Sequence, residues 1–337
     1  MSARLGRART IASGALTISV IVAGCGGANA TAAPAATPTA TPLPAATPGL
    51  ATSSAAATAT GAAPTAASSP TPGSGLPNFS HVYVIIMENK EYGRIVGSAA
   101  APYENELMAR YGQASDFYAE THPSEPNYIA LPSGGLQGTS TDGAYDLSVP
   151  NLFDQIEASG RTWHVYAQGY PGNCYQGSQS NVIVDGPGAA GDYVRKHNPA
   201  ISYTSISNSQ KRCANITKLD GFDPGAADFE MIIPNEINDM HSSSVAAGDA
   251  FLVAFVPKII DSPAFANSVL FITWDEGDTN DDGGGHIATI VASPGMAPGS
   301  HFDGHATHYS MLRTFELAWG LPLLGAAATA TTIKLQY

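Results

Sequence analysis

Five short apolar runs constrain this chain most, because each borders polar residues that can act together. They span residues 81–87, 162–167, 229–233, 269–274 and 287–292. Their β-branched and aromatic content is that of strands covered on both faces. Helical patterns at residues 102–111, 151–158, 251–260 and 308–319 are interspersed with them. Strands alternating with helices predict an α/β fold, doubly wound in three layers, with a central, mostly parallel sheet and helices on both faces.

The residues bordering these runs carry the chemistry. Glu88 and Asn89 follow the first run, and Asn235 lies just past the third. Asp275 and Glu276 follow the fourth, and His286 opens the fifth. In open α/β sheets ligands bind at the carboxyl ends of strands, so separate strands deliver carboxylates and amides to one edge. Like charges gathered there repel unless a cation neutralises them. Oxygen ligands of this kind suit one divalent metal ion, Ca²⁺, Mg²⁺ or Mn²⁺, with Zn²⁺ also compatible. The competing reading is that Glu88 and Asp275 merely cap the helices after their strands.

The chain begins with Arg4, Arg7 and Arg9, followed by an uncharged apolar stretch over residues 11–22 and then Val22-Ala23-Gly24-Cys25. A basic start, a short apolar stretch and small residues mark a signal peptide, residues 1–24, rather than a spanning helix. The sequence around Cys25 resembles a bacterial lipoprotein cleavage site, which implies lipidation of the Cys25 thiol and a membrane contact through it. An ordinary signal peptide with an incidental cysteine is the alternative. Residues 25–75 are almost entirely Ala, Thr, Pro, Ser and Gly without a charge. Such a segment buries too little apolar surface to offset its ordering entropy, and reads as a disordered tether. The remaining residues, 76–337, suit one domain.

With three of the 15 basic residues in the leader, the domain keeps 12 against all 28 acidic ones, a net charge of −16. That balance argues against nucleic acid as a partner. Cys174 and Cys213 are the two cysteines left, and an even remainder in an exported chain argues for one disulfide.

The segment Thr121-His122-Pro123-Ser124-Glu125-Pro126-Asn127-Tyr128 stands apart from these runs. Its prolines stiffen a turn around Ser124, and Asn127-Tyr128 can begin a helix. A serine at a helix start sits where backbone N–H groups and the helix dipole favour an anion. A metal there can lower the hydroxyl pKa and make it a nucleophile. An N-cap serine is the plain alternative.

The ordered elements HVYVIIMEN, HPSEPNYIALPSG, VRKHNPAISY, IPNEINDMH, GDAFLVAFVPKII, FITWDEGD, GGGHIATIVASPG and HYSMLRTFELAWGLP together resemble the acid phosphatase/phospholipase C-type phosphoesterase family of the alkaline-phosphatase-like superfamily. The resemblance implies that Ser124 is the nucleophile that takes up the phosphoryl group. It implies metal-site positions at Glu88, Asn89, Ser124, Asp275 and Glu276. Asn127, Asn235, Asp239 and His308 are then phosphate-binding candidates, and His286, followed by His122, the candidate acid for the leaving oxygen.

Two stretches invite other readings. Asp278, Asn280, Asp282 and Gly283 match the opening of an EF-hand loop, but Thr289 stands where a bidentate Glu is needed, so a true EF-hand is rejected. Residues 186–191 fit a dinucleotide fingerprint by letter, but Pro199 leaves little room for the helix it requires. The leading expectation is a phosphomonoesterase acting on a small phosphate-ester substrate. A phospholipase C-type diesterase is the enzyme alternative, and a non-catalytic, metal-stabilised surface binding protein is the alternative of another class.

Overall fold

A computed structural model describes residues 75–180 and 193–337. Cys25, the leader, the tether and the glycine-rich stretch at 186–191 lie outside these described residues. Among the described residues, no helix is long and apolar enough to cross a membrane.

The central sheet has eight strands. In chain order they are β1 (His81–Met87), β2 (Gly112–Ala114), β3 (Trp163–Ala167), β4 (Ile216–Lys218), β5 (Phe229–Ile233), β6 (Ser268–Trp274), β7 (Thr289–Ala292) and β8 (Ser300–Phe302). Across the sheet the order is β8-β2-β7-β6-β1-β5-β3-β4. All neighbours are parallel except β7, which runs antiparallel to both β6 and β2. The expected mostly parallel sheet is therefore present. The antiparallel sense of β7 brings His286, just before it, to the edge where β1, β5 and β6 end.

Among the described residues, five helices of seven residues or more cover the sheet: α1 (Pro102–Arg110), α2 (Ser124–Ser133), α3 (Leu152–Ala158), α4 (Val245–Ile260) and α5 (His308–Trp319). Side chains alternate across a strand, and ring contacts show which helix lies on which face. Trp163 of β3 meets Phe153 of α3, and Phe229 and Phe271 meet Phe315 of α5. Tyr166, on the other face of β3, packs through Phe222 to Phe255 of α4. Both faces of the sheet are thus covered, which is why β1 and β6 could be apolar throughout.

Local signals set the ends of the helices. The Asn151 side chain accepts from Asp154 N–H at the start of α3. Thr307 and Ser310 form a reciprocal capping box at the start of α5. Helix α2 ends on Gly134 at φ +68°, where a Cβ would fall 2.2 Å from the Leu324 carbonyl oxygen, so only glycine fits. Helix α4 begins six residues earlier than its apolar pattern, capped by Ser244. A disulfide joins Cys174 to Cys213, with Cα atoms 5.3 Å apart, and pins the loop after β3 to a short helix ahead of β4.

Candidate active site

The ends of β1 and β6 build the centre. Strand β1 hands over directly to Glu88 and Asn89, and the adjacent β6 to Asp275 and Glu276. Asn89 sits at φ +52°, a left-handed conformation that asparagine tolerates. In this turn its backbone N–H donates to Asp275 Oδ1 over 3.1 Å, tying the two strand ends together. Its side-chain amide donates to Glu88 Oε2 over 2.7 Å, so a ligand role for its oxygen requires the amide to turn over.

Ser124 is the first residue of α2, buried beneath the site mouth. Its Oγ lies 3.2 Å from Glu88 Oε2 and 3.3 Å from Glu276 Oε1. Two carboxylates therefore face one hydroxyl, and Asp275 adjoins Glu276 in the chain. Burial, then Asp275 and Asp239, raise the Glu88 pKa well above the carboxylate range. Burial pushes Asp275 up to about 6, and burial with the Asp275 charge pushes Glu276 up to about 7. Asp275 Oδ2 is buried with no hydrogen-bond partner. A crowded acidic set with an orphaned oxygen is what a divalent cation satisfies, so the residues fit the metal that their types imply.

A second donor set shares Glu88. His197 places Nε2 3.0 Å from Glu88 Oε1 and Nδ1 3.4 Å from Asp239 Oδ2. Neither ring nitrogen makes a well-angled hydrogen bond, and ligand atoms of Glu88, His197 and Asp239 all lie within 4.8 Å of one another. With one ligand atom from each residue, the three could hold a metal ion. Burial, then Lys196 and His241, hold the His197 ring neutral with its pKa well below 6.5. Tyr128 completes this side, donating to Glu88 Oε1 over 2.6 Å while its ring stacks on His197.

His197 and Tyr128 carried no assigned role in the sequence reading. His197 lies on a 3-10 turn (Arg195–His197) rather than at a strand end. The one signal for it was the motif VRKHNPAISY, in which it stands beside Lys196.

The other expected residues fall in three groups. His122 joins the centre: Nδ1 is 2.7 Å from Glu276 Oε2, and Nε2 is 2.7 Å from the Thr279 carbonyl. Burial alone would lower its pKa, but the Thr279 and Glu276 contacts outweigh this and raise it. Asp239 also joins, on the turn after β5, where its Oδ1 accepts His241 N–H. Asn127, Asn235 and His308 brace the surroundings. Asn127 Oδ1 accepts from Glu120 and Thr121 N–H, shaping the turn before Ser124. Asn235 Oδ1 accepts from Ile237 and Asn238 N–H, and its carbonyl accepts Asp239 N–H in a single helical turn. His308 is buried between Glu120 and the Trp274 carbonyl, directly behind Asp275. His286 shares the sheet edge, but its ring is stacked between Tyr92 and Tyr118, with Nε2 2.8 Å from the Ser115 carbonyl. No contact joins it to the Ser124 carboxylates among the described residues.

The EF-like stretch at 278–283 is organised by one side chain. Glu91 accepts from the N–H groups of Asp278, Thr279 and His286. Asp278 and Asp282 turn outward, toward Arg94 and His305.

A helix-start serine thus faces carboxylates from two strand ends, in a chain that has relatives among known proteins. Residues 98–322 match the model of the Phosphoesterase family. The chain belongs to this family. This phosphoesterase is 32% identical over 264 residues to a phosphatidylinositol-3-phosphatase of Mycobacterium tuberculosis, covering 77% of its own length and 83% of the relative's. It is 28% identical over 258 residues to a probable acid phosphatase of Kluyveromyces lactis, covering 73% of its own length and 60% of that protein. In three dimensions it resembles a phosphonate monoester hydrolase from Silicibacter pomeroyi, with a TM-score of 0.50, 11% identity, and 75% and 76% of the two chains covered. That likeness concerns the fold alone. The phosphoesterase is a hydrolase acting on phosphate esters, with its expected three-layer α/β architecture.

Proposed function

We propose that this phosphoesterase is a metal-dependent phosphomonoesterase that works through a phosphoserine on Ser124. The observation that carries the reading is the Ser124 hydroxyl, held 3.2 Å from Glu88 and 3.3 Å from Glu276 at the start of α2. Glu88, Asp275, Glu276 and the Ser124 oxygen would hold one divalent cation, with Asn89 joining if its amide turns. A cation there supplies charge neutralisation and makes the hydroxyl easier to ionise.

The chain's own residues perform the remaining work. Amide groups at the start of α2 favour the phosphoryl charge. Ser124 gives its hydroxyl proton to Glu276, 3.3 Å away, and its Oγ forms a bond to phosphorus as the bond from phosphorus to the ester oxygen breaks. That oxygen takes a proton from His122, and water later cleaves the phosphoserine, releasing phosphate. His122 suits the acid role because it touches Glu276, its pKa is raised, and its side chain is 32% exposed, within reach of a leaving group. The stacked His286 lacks such a contact. His197, Tyr128 and Asp239 line the opposite side and orient the phosphoryl group.

The mycobacterial relative is named for a lipid phosphate monoester, which supports monoesters, including those on lipid headgroups, as substrates. The leader and Cys25 support export and a lipid anchor on the outer side of the cytoplasmic membrane. The direct test compares turnover of an aryl phosphate monoester with that of phosphatidylcholine, before and after chelation and re-addition of Ca²⁺, Mg²⁺, Mn²⁺ or Zn²⁺. Metal-restored monoester hydrolysis is expected. Preference for phosphatidylcholine would favour the phospholipase C-type reading, and no turnover with any metal would favour a non-catalytic binding protein.

A further inference from the structure

Resting on the phosphoesterase reading, we infer that Lys196, held by Asp142 and flanked by His241, recognises the second negative charge of a phosphate monoester and so selects monoesters over diesters. Lys196 directly precedes His197, whose Nε2 reaches Glu88. Its Nζ lies 3.0 Å from Asp142 Oδ2 and 3.4 Å from His241 Nε2. The His241 ring in turn packs 5.8 Å from that of His197. The other oxygen of Asp142 accepts Glu125 N–H over 3.1 Å. One carboxylate therefore links the lysine to the helix start that carries Ser124. On the far side, Asp142, Gly143, Lys196 and Glu236 line an open cleft of about 590 Å³. Lys196 thus stands between the buried site and a space wide enough for a leaving group.

Charge decides what this lysine can do. A phosphate monoester has a second ionisation near pH 6 and approaches a dianion at neutral pH, whereas a diester stays a monoanion. The buried acids Glu88, Asp239, Asp275 and Glu276 repel a dianion more than a monoanion. A fixed ammonium beside His197 offsets that repulsion and, unlike a histidine, keeps its charge across the working pH range.

The experiment uses the full chain with saturating divalent metal and two substrates sharing a leaving group, p-nitrophenyl phosphate and methyl p-nitrophenyl phosphate. Lys196→Met is expected to lower kcat/KM for the monoester on the order of 10²-fold, with the diester changing about threefold at most, so the preference ratio collapses. Inhibition by inorganic phosphate should weaken in parallel, and Lys196→Arg should retain most of the ratio at an unchanged melting temperature. Equal losses on both esters, an unchanged monoester rate, or Lys196→Arg losing the ratio as fully as Lys196→Met would overturn the inference. A wild-type protein that hydrolyses neither ester would instead sink the functional reading itself, and this inference with it.

Discussion

At the scale of single residues, the site depends on which groups are left without ordinary partners. Ser124 could have been a helix-capping serine, yet its own side chain accepts no N–H at the start of α2 and its hydroxyl turns toward Glu88 and Glu276. His122 bridges Glu276 and Thr279 at the rim, which suits a proton donor that releases its contacts when a substrate arrives. The acid role makes a prediction that depends on the leaving group. His122→Ala should cost about 10²–10⁴ in kcat for an alkyl phosphate and far less for p-nitrophenyl phosphate, whose leaving oxygen needs no proton. Steady-state rates on the two esters check this, and equal losses would move the acid role elsewhere. The acidic residues were legible because they abut apolar runs. His197 was not, since it is separated by more than 100 residues from Glu88 and meets it only through tertiary packing.

At the scale of elements, the buried strands could be read with little error because sequence and packing demand the same residues. Runs covered on both faces cannot be mistaken for exposed loops, and β1 and β5 have the expected bounds. The three-residue strands β2, β4 and β8 went unread, since pairing at or near a sheet edge leaves no periodic pattern in so short a span. The α1–α4 interface carries a separate signature. Glu104 of α1 is fully buried, with neither carboxyl oxygen hydrogen-bonded in good geometry, beside Asp249 of α4. Asp249 itself accepts Tyr103 and Glu104 N–H at the start of α1. Burial, then Asp249, push the Glu104 pKa up to about 9. A carboxyl whose folded-state pKa is raised contributes stability that is fully present below its unfolded value, near 4.5, and lost as pH rises toward 9. Urea midpoints at fixed saturating metal should therefore fall between pH 5 and pH 8.5. Glu104→Gln should flatten this fall and exceed wild type at pH 8.5, with little difference at pH 5. A parallel decline in both proteins would show that Glu104 is not the cause.

At the scale of the molecule, the described chain enters the sheet at the edge opposite the site. His81 begins β1 beside Ser268, while Met87 ends it beside Trp274, next to the carboxylates of the candidate site. The described residues ahead of β1 thus join the domain at the strand end away from the carboxylates. The proposed anchor is separable from the chemistry on this arrangement. Cys25→Ser should move the protein from the detergent phase to the aqueous phase in a Triton X-114 partition, while kcat on a soluble aryl phosphate stays within about twofold of wild type. Continued detergent partitioning of Cys25→Ser would remove the lipid anchor from the account. The central claim, that Ser124 takes the phosphoryl group, is tested most directly by acid-quenching the metal-loaded enzyme during turnover and mapping its peptides by mass. A phosphoserine on the peptide carrying Ser124, absent in a folded, inactive Ser124→Ala protein, is the predicted result. Turnover that persists in Ser124→Ala would contradict it.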